Sequence, residues 1–420
     1  MRTQNFKILI ILFAIFILFT DGNCDEALTH DEIAGIPTLD LNANNLKHTV
    51  ITPVLGESIP EGKNLFWCIS FQLAWNELNK LIKEPIMMNP MPVLAKYLND
   101  EKGSKNDLDE NSYVAMAGIG ITNKIKEELK NKFKGKACPE ALESAGLIAY
   151  AYLFKQLPFE WSFERFKDQV IRFDNQPVKC FGIYQYDQSD PAEAKMSEQV
   201  HIFDYIDEDN FILELKTKDD DSRLILAKIK PQQTLLETIK QVEKRIENKK
   251  STKLSFGEHL YIPILDFKIT KDYNELCGKP LVCKNERYKE IAFAGATQIS
   301  RFRLDETGAV IKSEGMTNLM SVNRSYLFNK PFLIILKKKK AKFPYLALWV
   351  ANPELLVKAA AQKISQPTFY GVYGESIGRR HRGQPLKYSN ISLKCHGFLE
   401  EAGGCFRFEC IFLMLLLLLK

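Results

Sequence analysis

The chain has 420 residues, with 57 lysines and arginines against 52 aspartates and glutamates, for a formal charge of +5. Apolar residues make up 45% and charged residues 26%, a globular profile that excludes disorder for the bulk of the chain. A net charge this small argues against nucleic acid as the main partner. The length accommodates one large domain or two to three smaller ones.

The first 24 residues are predicted to be a secretory signal peptide and not part of the fold. Arg2 and Lys7 precede an unbroken apolar run from Ile8 to Phe19, and the short stretch Thr20 to Cys24 follows. A membrane-spanning helix needs about 20 apolar residues, so this run is too short to be one. We therefore expect a secreted protein with no transmembrane segment in the mature chain; the alternative is an uncleaved anchor.

Cleavage of the signal peptide would leave eight cysteines, whose pairing the sequence leaves open. Cys277 and Cys283 are the best local candidates for a disulfide, because Gly278 and Pro280 between them let the chain bend back. Cys68 is predicted to be a buried thiol. No Cys-x-x-Cys or His-Glu-x-x-His pattern occurs and the histidines are scattered, so no metal site and no cofactor are predicted.

Residues 25 to 62 are predicted to form an irregular N-terminal arm, and regular structure is expected from Lys63 onward. Apolar residues then recur at helical spacing up to Ile82, which predicts an amphipathic helix. A second, shorter helix is predicted around Ile125, Leu129 and Phe133, with its end at Gly135. The helices thus come early in the chain.

Strands dominate from Glu198 onward. The alternation of Phe211, Leu213 and Leu215 with polar residues, repeated at Leu224 and Leu226, predicts a hairpin. A helix that starts at the capping-box sequence Thr234 to Glu237 follows it. Further strands are predicted over residues 261–269, 298–304, 332–336 and 345–350, the last two adjacent and antiparallel. The predicted fold class is α+β, with helices packed on large, mainly antiparallel sheets.

Several of these segments resemble motifs of the serpins, a superfamily of serine protease inhibitors, in family order over about residues 63 to 354. The segment Phe328-Asn329-Lys330-Pro331-Phe332, followed by a basic turn, a strand from Pro344 to Trp349 and Asn352-Pro353, is similar to the C-terminal signature of that family. Asp305-Glu306-Thr307-Gly308 resembles its hinge. Ala151 to Lys155, with Pro158-Phe159-Glu160, resembles its central-sheet motif. The chain is identified as a divergent, trimmed member with a serpin-like domain at 63–356.

The resemblance implies an exposed reactive loop, which a protease attacks and whose first part then inserts into a sheet as a new strand. The implied hinge residues are Glu306, Gly308, Ala309, Ile311 and Ser313, and the implied attacked bond lies at Val322, Asn323 and Arg324. Insertion needs small side chains at alternate positions, and Ile311 is the misfit. Only 22 positions separate Glu306 from Phe328, fewer than inhibitory relatives carry.

The resemblance therefore implies inhibition of a secreted serine protease, and the alternative is a non-inhibitory binding or structural protein on the same scaffold. Arg324 suits a trypsin-like protease, but Asn323-Arg324-Ser325 is also a glycosylation sequon. An enzyme is not predicted, because no nucleophile and base occur at catalytic spacing.

Two further features remain open. Lys337, Lys338, Lys339 and Lys340 predict a polyanion site, with a solvated turn between two strands as the alternative. Residues 357–420 form a basic, cysteine-containing tail with a second sequon at Asn390. The tail ends in an apolar run from Ile411 to Leu419, too short to span a membrane as a helix.

Overall fold

The computed structural model describes residues 38–100, 102–133, 147–184, 186–306 and 324–359. The predicted signal peptide, most of the predicted loop and nearly all of the tail lie outside the described residues. Within the described ranges the chain forms four β-sheets and five α-helices. This confirms the predicted α+β class with large, mainly antiparallel sheets.

The largest sheet has seven strands, and its apolar side chains form much of the main core. All neighbouring strands are antiparallel except the first two, which are parallel. In spatial order they are β2 (Thr49–Thr52), β3 (Asn64–Cys68), β16 (Leu346–Val350), β15 (Phe332–Lys338), β10 (Ser222–Lys228), β9 (Asn210–Leu215) and β8 (Val200–Asp207). Since Phe332 lies opposite Val350 and β16 is buried throughout, the predicted pair of adjacent, buried, antiparallel strands is confirmed.

Three smaller sheets complete the β structure. The three-stranded sheet contains β1 (Leu39–Asn42), β12 (Leu265–Asp272) and β13 (Thr297–Leu304), in that order. The four-stranded sheet contains β14 (Ser325–Leu327), β11 (His259–Pro263), β7 (Gln176–Ile183) and β6 (Glu164–Phe173), in that order. A two-stranded sheet pairs β4 (Tyr113–Ile119) with β5 (Leu147–Leu153). The predicted loop lies between β13 and β14, so it joins the three-stranded sheet to the four-stranded one.

The helices are short, and the three longest each bury a set of apolar side chains. They are α1 (Ser70–Ile82), α2 (Val93–Leu98), α3 (Thr122–Phe133), α4 (Pro191–Glu198) and α5 (Leu235–Ile246). Helix α5 starts with the predicted capping box: the Thr234 hydroxyl accepts from the N–H of Glu237, whose carboxylate accepts from the N–H of Thr234. Its buried residues fall on one stripe: Leu235, Thr238, Ile239, Val242 and Ile246.

The first predicted helix begins later than expected. Residues 64–68 form the strand β3, and the helix starts only at Ser70. All five residues of β3 are buried, so side chains on both faces of this strand are covered. A strand buried on both faces has apolar residues at every position, so it shows no period of two and its sequence fits a helix equally well.

The N-terminal arm is more regular than predicted. Residues 39–42 pair in parallel with β12, and residues 49–52 pair with β3 as an edge of the seven-stranded sheet. The described part of the predicted 25–62 arm therefore belongs to the folded body. The strands are only four residues long, too short for an alternating pattern to stand out in the sequence.

The strand predicted over residues 261–269 is divided between two sheets. β11 ends at Pro263 in the four-stranded sheet, and β12 starts at Leu265 in the three-stranded sheet. Proline has no N–H to continue a ladder, which accounts for the end of β11. Ile262, Ile264 and Leu265 are all buried, so apolar character continues across the boundary and conceals it.

Gly182 in β7 permits a close approach between strands of the four-stranded sheet. Its φ is +152°, and a Cβ atom built there would lie 1.9 Å from the carbonyl oxygen of Leu260 in β11. Only glycine fits so close to a neighbouring backbone. Tyr261 is the ladder partner of Gly182, and the centre of its ring lies 4.9 Å from that of Phe166 in β6.

Candidate functional site at the two ends of the loop

The predicted loop starts at a cluster of charged side chains. After β13 ends, Asp305 is buried, and its Oδ2 accepts from Arg303 Nε at 2.5 Å. The next carboxylate, Glu306 Oε1, lies 2.6 Å from Arg165 Nη2 on β6. Arg303 Nη1 also lies 3.7 Å from Asp266 Oδ2 on β12. The start of the loop is thus attached to two different sheets.

The loop ends at a second ion pair, which is partly buried. Arg324 Nε donates to Glu258 Oε1 at 2.5 Å, and the Arg324 guanidinium lies 5.4 Å from the ring centre of Tyr205 and 6.0 Å from that of Tyr326. Glu258 is only 3% exposed, and its Oε2 accepts from the N–H of Ser255 at 2.8 Å. The Arg324 side chain therefore bridges a buried carboxylate and two aromatic rings.

The local electrostatics favour this pairing. Burial by itself would lower the pKa of Arg324, but the hydrogen bond to Glu258 raises it above its usual value. Burial also raises the pKa of Tyr326, so its hydroxyl stays neutral beside the pair. The Arg324 guanidinium consequently stays charged throughout the physiological range.

A buried lysine, Lys228, binds the segment that follows the predicted loop, at Leu327 and Asn329. Lys228 Nζ, at the end of β10, donates to the carbonyl oxygens of Glu208 at 2.8 Å and Leu327 at 2.9 Å, and to Asn329 Oδ1 at 3.0 Å. Asp209 Oδ1 lies 2.8 Å from the same ammonium, whose side chain is 3% exposed. Burial lowers the pKa of Lys228, which the hydrogen bond and the charge of Asp209 oppose. Asn329 of the serpin-like Phe-Asn-Lys-Pro-Phe segment thus anchors β14 to the seven-stranded sheet.

Glu306 and Arg324 are the two proposed loop residues that the structure describes. The others lie outside the described residues: Gly308, Ala309, Ile311, Ser313, Val322, Asn323 and the second sequon residue Asn390. The position of Arg324 differs from that expected next to an attacked bond, because a trypsin-like protease must take the arginine into its own pocket. Here the guanidinium is already held by Glu258.

The structure contradicts the predicted bridge between Cys277 and Cys283, since both thiols are free. Cys277 Sγ lies 3.8 Å from the carbonyl oxygen of Tyr273, and Cys283 Sγ lies 3.4 Å from that of Asn285. The segment between them does not bend back on itself, because it pairs with residues 291–293 instead. Cys68 is buried as predicted, and burial raises the pKa of its thiol.

The four lysines of the predicted polyanion site have different surroundings. Lys337 forms an ion pair with Glu243 on α5, and Lys338 Nζ lies 3.2 Å from Asp109 Oδ1. Lys339 and Lys340 are exposed. The turn therefore presents fewer available charges than its sequence indicates.

Sequence reasoning missed Arg165, Glu258 and Lys228, the three partners that hold the loop ends. One signal was present for Lys228, since a charged residue ends the otherwise apolar run from Leu224 to Ala227. Arg165 and Glu258 carry no such local signal. In the ranges that the structure covers, no group of three or more His, Cys, Asp or Glu side chains is placed to hold a metal ion. No helix among these residues is long and apolar enough to cross a membrane.

No protein-family model matches the sequence, and no curated protein matches it. Solved structures of serpins are among those that this chain is similar to. A thyroxine-binding globulin complex with thyroxine matches at 12% identity and a TM-score of 0.39, over 70% of this chain and 94% of that one. The human thyroxine-binding globulin complex at 1.55 Å resolution matches at 11% identity and a TM-score of 0.41, over 70% and 93% of the two chains. Serpin48, a highly specific serpin of the insect Tenebrio molitor, matches at 11% identity and a TM-score of 0.39, over 68% and 91%. Likeness at this level concerns the fold alone and says nothing of activity.

Proposed function

We propose that this chain is a secreted, serpin-like binding protein whose loop does not trap a protease by insertion. Secretion is proposed on the charged, apolar and small-residue pattern of residues 1–24. The observation that supports a non-trapping role most directly is the ion pair between Arg324 and the buried carboxylate of Glu258. A catalytic role is not part of the proposal.

Attack by a trypsin-like protease after Arg324 would require this ion pair to break. Removal of one member of a fully buried pair costs about 3–5 kcal/mol, because the other charge stays buried without its partner, and we expect about 2–3 kcal/mol here because the Arg324 side chain is 39% exposed. The contacts of the guanidinium with the rings of Tyr205 and Tyr326 would be lost as well. Arg324 is therefore a poor substrate residue and a good structural one.

The start of the loop opposes insertion for a related reason. Insertion would require Glu306 to leave its present position, which separates its carboxylate from Arg165 on β6. The bulky Ile311 and the short loop add to that cost, as the sequence predicts. Both loop ends are thus held by charges whose partners lie in other elements.

Protease inhibition remains the second candidate, and one observation favours it. Among the described strands, β13 pairs only with β12, and β5 pairs only with β4, so each has one unpaired edge. An unpaired edge can accept a further strand. The predicted loop follows β13 directly in the chain, and β13 is one of these two strands.

One experiment separates the two candidates. The purified full chain is mixed with trypsin and, separately, with a chymotrypsin-like protease, and the products are resolved on a denaturing gel. We expect cleavage without a gel-stable complex, and only a small rise in melting temperature after cleavage. A covalent complex together with a large rise would establish insertion and overturn the proposal.

The variant Arg165→Gln sharpens this test because it removes the ion pair with Glu306. If insertion occurs but is held back by that pair, the variant should form more complex than the wild type and gain more stability on cleavage. If the protein does not insert, the variant should be cleaved without either effect. Lys179→Gln, at a neighbouring strand of the same sheet, serves as the charge-matched control.

A further inference from the structure

One face of the four-stranded sheet carries aromatic side chains around a position that has none. Gly182 on β7 is paired with Tyr261 on β11 and with Glu164 on β6. Paired residues share one face of a sheet, as does every second residue along a strand. Tyr184 therefore lies on this face two residues beyond Gly182, and His259 lies on it two residues before Tyr261. These four side chains border a position where the sheet carries no side chain.

The aromatic rings form a continuous series across this face. The ring centres of Phe166 and Tyr261 are 4.9 Å apart. Those of Tyr261 and His259 are 6.3 Å apart, and those of His259 and Tyr184 are 6.2 Å apart. Tyr184 is 42% exposed, while His259 and Tyr261 are half-buried, so solvent reaches these three rings.

A backbone contact fixes the ring of His259. Its Nδ1 contacts the carbonyl oxygen of Tyr184, which can only accept, so Nδ1 carries a proton and donates it. The planes of the two rings are inclined at 69°. Because their centres are only 6.2 Å apart, a single cation can lie within about 6 Å of both centres, the range of a cation–π contact.

Glu164 places a negative charge beside these rings. Partial burial raises the pKa of Glu164, and no neighbouring cation lowers it. Within the described part of the chain, the Glu164 carboxylate forms no ion pair. The next residue along β6, Arg165, contacts Glu306 instead.

Helix α4 brings a second carboxylate to the same region. Burial raises the pKa of Glu193, and the negative charge of Glu164 adds to this effect. The N–H of Asp187 donates to Glu193 Oε2 at 2.6 Å, but a neutral donor does not balance the charge. Lys195 of this helix lies over the ring of Trp161, 4.3 Å from its centre. This part of the face therefore attracts cations and repels anions.

We propose that this face binds a small organic cation with a quaternary ammonium group, between the rings of Tyr184, His259 and Tyr261. Such a cation is attracted both to the faces of aromatic rings and to the Glu164 carboxylate. A primary ammonium is strongly hydrated and has three donors that need acceptors, which ring faces do not supply. A fully methylated ammonium has no N–H donor, so the rings replace its water at lower cost. The site lies outside the predicted loop, so it does not depend on whether that loop traps a protease.

The experiment measures binding of choline to the full chain by ligand-observed NMR titration at near-physiological salt. The neutral isostere of choline, in which a carbon atom replaces the charged nitrogen, tests the role of the charge. Ethanolamine, which has a primary ammonium, tests the role of the methyl groups. We expect choline to bind, and both analogues to bind at least about fivefold more weakly.

Two pairs of variants test the position of the site. Tyr184→Leu removes the most exposed ring but keeps the carbonyl that fixes His259, and it should weaken choline binding at least about fivefold. Its control is Tyr97→Leu on α2, a tyrosine that is 50% exposed, and it should bind choline within about twofold of the wild type. Glu164→Gln should weaken binding at least about threefold, whereas Glu127→Gln on α3 should not. All four side chains are exposed, so the variants should fold, and circular dichroism checks this.

Several results would overturn the proposal. One is the absence of choline binding by the wild type at millimolar concentration. Another is binding of the neutral isostere or of ethanolamine as tight as that of choline. Equal effects of Tyr184→Leu and Tyr97→Leu would also overturn it, because the cation would then bind elsewhere.

Discussion

The pair of Arg324 with Glu258 yields a quantitative prediction about stability. Arg324→Ala leaves a carboxylate that is 3% exposed and that, among the described residues, accepts only from the Ser255 N–H. Exposed ion pairs contribute about 0.2–1 kcal/mol, whereas loss of one member of a buried pair costs about 3–5 kcal/mol. Because the Arg324 side chain is 39% exposed, we expect an intermediate loss of about 2–3 kcal/mol in the free energy of unfolding.

A double-mutant cycle separates this pair from the other contacts of Arg324. Glu258→Gln keeps an oxygen that can accept from Ser255 but removes the buried charge, so Arg324→Ala should cost less in that background. We expect a coupling of at least about 1 kcal/mol, measured by urea unfolding at pH 7 with unchanged m-values. Arg287→Ala is the control, since Arg287 also lies over a tyrosine ring, 5.7 Å from Tyr288. This exposed arginine should change stability by no more than about 0.5 kcal/mol.

The result that would refute the reasoning is an Arg324→Ala variant as stable as the Arg287→Ala control, with no coupling to Glu258. The guanidinium would then be free to leave its site at little cost. The main argument against protease attack at Arg324 would fail with it, and the gel assay would decide alone.

Three further outcomes follow from the structure. Lys228→Met should lower the free energy of unfolding by about 3 kcal/mol, because Asp209, the Leu327 carbonyl and the Asn329 amide oxygen lose the ammonium group that they contact. A loss below about 1 kcal/mol in urea unfolding would contradict this. Burial lowers the pKa of His201 to about 4 in the folded chain, against an ordinary value of 6.5. As the pH falls from about 6.5 to about 4, the unfolded chain therefore binds a proton that the folded chain does not, and the free energy of unfolding should fall by about 1–3 kcal/mol. His201→Gln should flatten that part of the curve of melting temperature against pH, and an unchanged curve would contradict the assignment. Gly182→Ala should abolish soluble expression or strongly lower the melting temperature, since its Cβ would meet the Leu260 carbonyl, whereas Gly295→Ala, with open space around it, should be tolerated.

Elements that carry a local signal, such as a residue period, a helix cap or a turn, were predictable from the sequence. The hairpin of β9 and β10 and the helix α5 appear where the pattern and the capping box place them. The strands β15 and β16 were also predicted, since a basic turn separates two apolar runs of strand length. Signals of this kind lie within about ten residues and need no partner from elsewhere in the chain.

Two boundaries inside segments buried on both faces were decided only by the tertiary structure. β3 reads as the start of a helix because both of its faces are apolar, and only its neighbours β2 and β16 make it a strand. The division of 261–269 at Ile264 has the same origin, since burial continues while the chain passes from one sheet to another. No local period marks such a boundary.

The candidate sites depend on partners that lie far apart in the chain. Arg324 and Glu258 are 66 residues apart, Lys228 and Asn329 are 101 apart, and Tyr184 and His259 are 75 apart. The sequence shows each charge but not which opposite charge will lie beside it, because Coulomb attraction depends on distance in space and on burial. The sequence by itself determined the class of fold and the place of the loop in the chain, and the tertiary structure decided which charges hold that loop and which remain available to a ligand.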